Sequence, residues 1–330
     1  MEIMVSVLTT TYNHRPYIAK TLDSLLEQIT NFPYEIIVHD DASSDGTAEV
    51  VKEYAEKYPH RIRAILQKEN QYSKGMNVYE FMRPLIRGKY IAQCEGDDFW
   101  CDKYKLQRQI HYMEKHPDCS YCFCNSYNVD LDSKVIGGQT PARETRVFSP
   151  REIIKAPEIF LATAGTVYRT KDAMEMPEEF RAGEAGDIPL RHYLMLKGYA
   201  YGFADRMCCY RMMTPGSCSD RYRQGMQKNS PKFIETNEAY IRYYQWFDQF
   251  TSGAYHEEIL PNLNERLYLR YRIDADWKAL HQPEYREKFK KCSRKQKLIV
   301  FVKFYFPKAV DLYRRIHYGK SVTGQKTGNT

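Results

Sequence analysis

Residues 90–100 read Tyr-Ile-Ala-Gln-Cys-Glu-Gly-Asp-Asp-Phe-Trp, a predicted buried strand followed at once by an acidic turn. The apolar and aromatic run Tyr90–Ala92 predicts the strand, and Gly96 is expected to let the backbone turn tightly. Three carboxylates lie within four residues, those of Glu95, Asp97 and Asp98. This density of negative charge is unfavourable unless a cation offsets it, and Mg²⁺ or Mn²⁺ prefers carboxylate oxygens. A solvated acidic turn that caps the next helix is the alternative interpretation.

The flanking sequence alternates short apolar runs with helical patterns, which predicts an α/β fold with a mostly parallel sheet flanked by helices. Further apolar runs predict strands at 3–8, 35–39, 62–66 and 120–127. Residues at helical spacing predict helices within 17–29, 50–55, 76–86 and 106–113. Ligands of such sheets bind beyond the carboxyl ends of the strands. We therefore expect one site to be formed by the polar clusters at 9–13, 40–47 and 95–100.

Composition places the chain among soluble globular proteins. Its 330 residues are enough for one large domain or two, and 43% hydrophobic with 28% charged residues is ordinary for that class. Much of the net charge of +7 lies near the C-terminus, at 286–297 and 314–320. A basic tail suits an anionic membrane surface or a solvated face. No nucleic-acid-binding motif accompanies it, so nucleic acid is not an expected partner.

The nine cysteines show no disulfide or zinc framework. Cys119, Cys122 and Cys124 fall in one predicted strand and are interpreted as buried free thiols, because no second Cys or His pair follows. Free thiols in this number indicate a reducing, cytoplasmic location. No signal peptide is predicted at the N-terminus, and the apolar run Leu298–Val302 is too short to span a bilayer.

Two common nucleotide-binding motifs are missing from the sequence. No Gly-x-Gly-x-x-Gly follows the first strand, and no Gly-x₄-Gly-Lys-Ser/Thr occurs. A nucleotide would have to be held in another way. Asp40 and Asp41 can accept hydrogen bonds from a base or from ribose hydroxyls, while Thr9 and Tyr12 frame the base. The alternative for the two aspartates is a turn that caps a helix.

Three segments together resemble the signature of glycosyltransferase family 2. They read Val5-Ser-Val-Leu-Thr-Thr-Thr-Tyr-Asn13, Glu35-Ile-Ile-Val-His-Asp-Asp-Ala-Ser-Ser-Asp-Gly-Thr47 and Gly88-Lys-Tyr-Ile-Ala-Gln-Cys-Glu-Gly-Asp-Asp-Phe-Trp100. Their order and spacing also match, and the resemblance covers about residues 3–215. It implies a GT-A fold and an inverting transfer of a sugar from a nucleoside-diphosphate donor, most often a UDP-sugar.

The resemblance also implies roles for individual residues. The donor nucleotide would be bound by Thr9, Tyr12, Asn13, Asp40, Asp41 and Asp97. The metal, Mn²⁺ or Mg²⁺, would be ligated at an Asp-x-Asp-like position by Glu95, Asp97 and Asp98. Many family members have Asp where this chain has Glu95, which makes Glu95 the weakest of the three predicted ligands.

An inverting transfer needs a base that takes the proton of the acceptor hydroxyl. The segment Gly186-Asp-Ile-Pro-Leu190 resembles the family segment whose aspartate is the expected base. We therefore predict Asp187 as the base, with Glu184 as the substitute. A helix N-cap at Asp187 is the alternative, and the two roles are compatible.

The segment from Tyr210 resembles the family's closing Tyr-Arg-x-His segment, but Met stands at 212 and 213 where the usual His is expected. Arg211, or else Arg221, is predicted to offset the charge of the diphosphate. The Gly and Ser content of 214–223 suggests a loop over the donor.

The last third of the chain has a different pattern. We predict a first domain at 1–220 and a helical C-terminal region at 221–330. Within that region, 294–307 is basic and aromatic, which fits either a membrane interface, where a lipid-linked acceptor would be found, or a helix packed on the core. The expected location is cytoplasmic, and the membrane alternative for 294–307 would add peripheral association at the inner face of the cytoplasmic membrane.

Two other functions compete with a transferase that assembles glycans or polysaccharides. A sugar nucleotidyltransferase of related fold would need a glycine-rich, lysine-containing loop after the first strand, and 9–15 has no glycine. A non-catalytic sugar- or nucleotide-binding module would be expected to lack Asp97, Asp98 or Asp187, and all three are present.

Overall fold

A single mixed sheet organises the computed structural model, which describes residues 2–155, 161–181, 187–215 and 231–309 together with Ser217 and Asp220. The sheet has ten strands in the order β3-β2-β1-β4-β9-β6-β10-β5, with β7 paired to β6 and β8 to β10. The strands are β1 Val5–Thr11, β2 Tyr34–Asp40, β3 Ile62–Leu66, β4 Tyr90–Gln93, β5 Phe99–Trp100, β6 Cys119–Val129, β7 Val135–Gln139, β8 Arg146–Phe148, β9 Val167–Arg169 and β10 Tyr199–Arg211.

The helices lie between the strands and after the last one. The α-helices are α1 Ile18–Leu26, α2 Thr47–Lys57, α3 Tyr79–Met82, α4 Lys105–Lys115, α5 Pro150–Lys155, α6 Thr170–Met174, α7 Glu178–Arg181, α8 Ile188–Met195, α9 Pro231–Phe250, α10 His256–Asp274, α11 Trp277–Leu280, α12 Pro283–Lys290 and α13 Arg294–Tyr305. Short 3₁₀ turns are at Tyr72–Lys74, Arg83–Leu85 and Thr163–Gly165. The helix predicted within 76–86 is therefore two shorter pieces, the second of which contains Pro84.

The predicted α/β fold class is confirmed, with one antiparallel strand in the middle of the sheet. Strands β3, β2, β1 and β4 are parallel, and Val5 of β1 pairs with both Tyr34 and Tyr90. Strand β9 runs antiparallel to β4 on one side and to β6 on the other. Strand β6 is parallel to β10, which also pairs antiparallel with β5. The carboxyl ends of β1, β2 and β4 consequently meet at one edge.

Alternating side chains of the strands build two cores, one on each face of the sheet. On one face, Val7 packs in a first core with the apolar sides of α1, α2 and α4. On the other face, Leu8 packs in a second core with α8, α9 and part of α10. Successive residues of a strand point to opposite faces, so β1 contributes to both.

Helix α9 belongs to the second core although it lies beyond the predicted boundary at 220. Its residues Tyr243, Tyr244 and Phe247 are buried together with Tyr121 of β6. Helices α10 to α13 form a smaller C-terminal cluster, whose buried members are Tyr268, Ala275, Leu280, Tyr285, Phe289 and Val300. Among the described residues, no helix combines the length and the apolar character needed to cross a bilayer.

Candidate functional site

The acidic turn lies where the sequence predicted it, between β4 and β5 at the carboxyl end of the parallel strands. Its backbone is fixed to β1 by hydrogen bonds from Cys94 N to Leu8 O and from Gly96 N to Thr10 O, of 3.1 and 2.8 Å. A Cβ atom on Gly96 would be 2.5 Å from Thr11 Oγ1. The turn therefore needs glycine because β1 passes so close. The sequence predicts a different reason, a tight turn that only glycine can adopt. Gly96 does not have a positive φ, so the close approach of β1 is the reason that the structure supports.

Asp98 is the most buried carboxylate of the turn, at 1% exposure. Its Oδ1 accepts a hydrogen bond of 2.8 Å from the backbone N–H of Arg211. No donor among the described residues reaches its buried Oδ2, and the Glu95 carboxyl lies close enough to influence its charge. Burial, followed by the charges of Asp97 and Glu95, raises the pKa of Asp98 well above its usual range.

Glu95 lies beside Asp98 and is partly buried. Burial and the nearby carboxylate of Asp97 raise its pKa to about 7, although the Thr163 hydroxyl opposes the shift by hydrogen bonding. The charge of Asp187 adds to the increase, which places α8 near the turn. Two carboxyl groups with raised pKa values, side by side, are an arrangement in which a cation would be favourable, and they coincide with the predicted metal ligands.

The donor set fits a hard divalent cation in part. No group of three or more His, Cys, Asp or Glu side chains within the described ranges is arranged to hold a metal by itself. Mg²⁺ and Mn²⁺ commonly take one or two carboxylates and complete their shell with water and substrate phosphates. Asp98 Oδ2 and the Glu95 carboxyl provide such a pair, and the adjacent Asp97 Oδ2 lies 3.9 Å from His14 Nε2.

Arg211 supports the acidic turn through hydrogen bonds. Its guanidinium donates from Nε to Asp97 O at 2.8 Å and from Nη1 to Asp130 O at 2.8 Å. It also donates to Leu131 O and Ser133 Oγ, both at 3.1 Å. The side chain is only 2% exposed. In this structure the guanidinium therefore supports the acidic turn, and its predicted contact with a diphosphate remains untested.

The first polar cluster lines the edge next to the turn. The hydroxyls of Thr9 and Thr11 are buried and have no hydrogen-bond partner in the described part of the chain. Tyr12 is 46% exposed, so its ring is available to a ligand. Asn13 has a positive φ of 55° and its Oδ1 accepts from Ser44 N at 2.9 Å, which connects the β1 loop to the β2 loop. These positions agree with a polar site at this edge of the sheet.

Asp40 and Asp41 are buried at the end of β2 and bind backbone groups of their own chain. Asp40 accepts from the N–H and the hydroxyl of Ser43 at 3.0 and 2.5 Å. Asp41 accepts from the N–H groups of Gln71 and Tyr72 at 2.8 and 3.0 Å. The turn predicted as the alternative is therefore present, but neither aspartate caps α2, whose N-cap is Gly46. Each carboxylate oxygen keeps a second lone pair, so the predicted contacts with a nucleoside stay predictions.

Asp187 is at the N-cap position of α8, and its side chain makes no capping hydrogen bond. The carboxylate is exposed, and its charge acts on Glu95. This arrangement leaves it accessible to an acceptor on the side of the acidic turn. Glu184, the predicted substitute, lies outside the described residues, as do Arg221 and most of the predicted loop at 214–223.

Sequence reasoning missed two contributors, His14 and Thr163. Both lie beside the acidic turn, together with Thr11 of the predicted cluster at 9–13. His14 directly follows that cluster, so its place in the same loop was the available signal. Thr163 carried none, because its 3₁₀ turn approaches the site only through the tertiary structure.

A family model described as "Glycosyl transferase family 2" matches residues 6–173 of this chain, about half of its length. The chain belongs to glycosyltransferase family 2. The match contains all three polar clusters at the strand ends and stops before α8.

Curated relatives agree with the family over different lengths. Rv1520 of Mycobacterium tuberculosis is 39% identical over 122 residues, 36% of this chain and 34% of that protein. The match thus spans about a third of the mycobacterial relative's length. The putative teichuronic acid biosynthesis glycosyltransferase TuaG of Bacillus subtilis is 28% identical over 67% of this chain and 83% of its own. WfaP of Escherichia coli, a UDP-Glc:alpha-D-GlcNAc-diphosphoundecaprenol beta-1,3-glucosyltransferase, is 34% identical over 41% of this chain and 50% of its own.

Solved structures share the fold at low sequence identity. Residues 1–349 of TarS from S. aureus, in complex with UDP-GlcNAc, align over 93% of this chain and 92% of theirs, with a TM-score of 0.53 and 18% identity. The mannosyltransferase PcManGT of Pyrobaculum calidifontis, in complex with GDP-Man and Mn²⁺, covers 94% of this chain and 83% of its own. Its TM-score is 0.51 and its identity 15%. Both likenesses identify the GT-A-like fold.

Proposed function

We propose that this chain is a metal-dependent inverting glycosyltransferase. It would transfer a sugar from a nucleoside-diphosphate donor, preferably a UDP-sugar, to a hydroxyl of a glycan or a lipid-linked acceptor in polysaccharide biosynthesis. The observation that carries the proposal is the acidic turn: the carboxyl groups of Glu95 and Asp98 lie side by side with raised pKa values, and the charge of Asp187 acts on Glu95. Membership of the family agrees with this chemistry.

The donor would lie along the edge formed by β1, β2 and β4. Its nucleoside would contact Tyr12, Asn13 and the Asp40–Asp41 pair, and the buried hydroxyl of Thr9 offers a hydrogen bond from below. Asp97 and Asp98 would face the diphosphate, where a bound Mn²⁺ or Mg²⁺ supplies the positive charge that offsets the leaving group. The fold brings these side chains together from three separate loops.

The acceptor would enter on the side of α8. Its hydroxyl oxygen attacks the anomeric carbon as the bond from that carbon to the diphosphate oxygen breaks on the opposite face. Asp187 takes the hydroxyl proton, and the nucleoside diphosphate leaves with the bonding electron pair. Because the Asp187 carboxylate is exposed and makes no cap hydrogen bond, it is available for this proton transfer.

The proposed place of this reaction is the cytoplasm, at the inner face of the cytoplasmic membrane. A UDP-sugar is charged and water-soluble, whereas a lipid-linked acceptor is confined to the bilayer. An enzyme that joins the two has to work where both are accessible. The relative WfaP carries a diphosphoundecaprenol-linked substrate in its name.

Calorimetric titration tests the donor site first. We expect UDP to bind the purified protein in the presence of Mn²⁺ and to bind more weakly by about tenfold or more without it. Titrations with GDP and CMP show whether the site prefers uracil to other bases. Asp98→Ala should abolish the dependence on Mn²⁺, because it removes the buried oxygen that has no donor. Asp274→Ala, a carboxylate exposed at the end of α10, is the matched control and should titrate like the wild type.

The titration also separates the competing functions. UDP binding that ignores both Mn²⁺ and Asp98 would contradict the metal-dependent proposal. Normal binding with no sugar transfer in the wild type would favour a non-catalytic module. If Asp187 is the base, Asp187→Asn should retain binding and lose at least about a hundredfold in kcat.

A further inference from the structure

Helix α13 is apolar on two opposite sides, and only one of them is packed. Val300 is buried in the C-terminal cluster, and Phe301 lies edge-on to Trp277 with 5.3 Å between ring centroids. The other side presents large apolar side chains to solvent. These are Leu298, Ile299 and Phe306, with exposed fractions of 61, 45 and 55%. Tyr305 lies at the border with the packed side: it is 52% exposed, and its ring also contacts those of Trp277 and Phe301.

The exposed residues form one continuous face. Leu298 and Tyr305 are two turns apart, as are Ile299 and Phe306, so each pair projects in nearly the same direction. One turn before them, Arg294 and Lys295 precede Leu298 and Ile299 by four residues and extend the same face. We call this surface, Arg294, Lys295, Leu298, Ile299, Tyr305 and Phe306, the α13 face. A helix that packed only on its own protein would carry polar residues there.

The charge around the α13 face has a single sign. From Lys288 to Ala309 the sequence has eight Lys or Arg residues and no Asp or Glu. Lys288 is paired with Glu265 of α10, and Lys290 with Glu287 of its own helix α12. Arg294 and Lys295 form no ion pair among the described residues and are exposed. An occupant of this face would therefore be apolar in the middle and anionic at one end.

From this geometry we infer that the α13 face docks the protein on an anionic lipid bilayer. A helix lying in the interface buries its apolar side chains at the boundary of headgroups and acyl chains, and adjacent basic residues contact anionic headgroups. Tyr305 is suited to that depth because its ring is apolar and its hydroxyl polar. Ser293 caps the helix through a capping box with Gln296, so α13 is ordered before it meets a surface.

This inference gives a surface to the proposed membrane location, but it does not depend on the transfer reaction. Vesicle binding is measured without a donor or an acceptor. A failure to bind vesicles leaves the nucleotide titration intact, and a failure to bind UDP leaves the docking face intact.

Co-sedimentation of the full chain with vesicles tests the inference. One set of vesicles contains phosphatidylcholine alone, and the other contains equal parts of phosphatidylcholine and phosphatidylglycerol. We expect binding to the anionic set, weakening as salt is added because exposed charges are screened. Replacing both basic residues (Arg294→Gln with Lys295→Gln) should weaken it roughly thirtyfold. Replacing both aliphatic residues (Leu298→Ser with Ile299→Ser) should weaken it by about tenfold or more.

Matched controls use exposed residues elsewhere. Val135→Ser with Ile136→Ser changes two side chains of β7 that are each 60% exposed. Lys52→Gln with Lys57→Gln removes two exposed charges from α2. Both control proteins should bind anionic vesicles like the wild type.

Three results would overturn the inference. The first is the absence of binding to either set of vesicles, and the second is equal binding to both. The third is a concentration-dependent dimer in sedimentation velocity that Leu298→Ser with Ile299→Ser dissociates, combined with no vesicle binding. That last result would make the α13 face a contact between two copies of the chain.

Discussion

Arg211 is a positioning residue for the acidic turn. Its guanidinium joins the carbonyl of Asp97 to the carbonyls of Asp130 and Leu131 in the loop after β6. The guanidinium also lies over the ring of Tyr17, with its Cζ 4.3 Å from the ring centroid. One side chain thus connects the acidic turn to the β6–β7 hairpin and to the residue before α1.

Replacing Arg211 should affect stability first. Arg211→Gln leaves buried carbonyl groups without donors, and we expect the free energy of unfolding to fall by about 3 kcal/mol or more. Urea titration measures this change. Arg206→Gln, in the same strand but exposed, is the control and should cost less than about 0.5 kcal/mol. A small effect of Arg211→Gln with intact nucleotide binding would contradict the positioning role.

At this scale the sequence predicted positions better than contacts. The carboxylates at 95–98 and Asp187 could be chosen because charge clusters at strand ends and a familiar motif are visible in one dimension. The contacts of Arg211 could not be predicted, because three of its partners are carbonyl groups, 114, 81 and 80 positions away, which any residue can offer. Thr163 was missed for the same reason.

Gly96 shows how two elements constrain one position. The backbone of the acidic turn lies so near the end of β1 that an added Cβ would be 2.5 Å from Thr11 Oγ1 and 3.0 Å from His14 Nδ1. The added Cβ would therefore clash with Thr11 and His14, which border the site. A methyl group there would push the turn away from β1.

We expect Gly96→Ala to lower the free energy of unfolding by about 1–3 kcal/mol and to weaken metal-dependent nucleotide binding. Thermal unfolding and calorimetry measure the two effects. Gly137→Ala in β7 is the control, because its Cβ would meet no atom closer than 3.9 Å and should change neither. Wild-type stability and binding in Gly96→Ala would show that β1 can move aside at no cost.

Helix α8 is held by a histidine that cannot easily accept a proton. His192 is fully buried, and its Nδ1 is 3.2 Å from the hydroxyl of Tyr243 on α9. Burial, followed by the charge of Arg191, lowers the pKa of His192 well below its usual value of 6.5. The unfolded chain therefore binds a proton near pH 6.5 that the folded chain does not bind.

The contribution of His192 to stability should therefore fall as the pH decreases below 6.5, while the raised pKa values of Glu95 and Asp98 act in the opposite direction. The loss from His192 amounts to at most about 1.4 kcal/mol per pH unit, the value for one proton. His192→Gln should show a smaller loss between pH 7 and 5 in urea titrations, and His111→Gln, an exposed control, should match the wild type. Some dependence should persist in each variant, because burial also lowers the pKa of His39. Equal slopes for His192→Gln and the wild type would refute the assignment.

Elements were predicted well where periodicity was strong and poorly where chain direction mattered. Strands β1, β2 and β4 follow from apolar runs, and α1 and α4 from their amphipathic spacing. The antiparallel course of β9 has no local signal, because its three residues pair with β4 and β6 only in the folded sheet. The sequences of β4 and β6 also contain few features that indicate whether a strand between them runs parallel or antiparallel.

At the scale of the whole molecule, the three tryptophans report on three packed regions. Trp100 is buried in the first core and donates to Ala164 O at 2.7 Å. Trp246 of α9 packs against the second core, with its ring 4.6 Å from that of Phe180. Trp277 packs on the C-terminal cluster, which has only six buried members.

Variants that retain one tryptophan each should separate these regions by fluorescence in urea. We expect Trp100 and Trp246 to report the same midpoint, because both cores share the sheet, and Trp277 to report a lower one, because its cluster is small. If Trp246 instead reports the same midpoint as Trp277, the regions before and after the predicted boundary at 220 unfold separately. One common midpoint would mean that the whole chain unfolds as a unit.

The acidic turn pairs with the end of β10, so the site can form during synthesis only after β10 has been made. Asp98 and Arg211, whose hydrogen bond closes the turn, are 113 positions apart in the chain. Strand β5, directly after the turn, also has its neighbour in β10. Strands β1 to β4 can pair while synthesis continues, but the nascent chain has no finished donor site until β10 has left the exit tunnel. Ribosome-bound chains that stop before Arg211 should therefore retain no donor nucleotide, even with every predicted metal ligand already outside the tunnel.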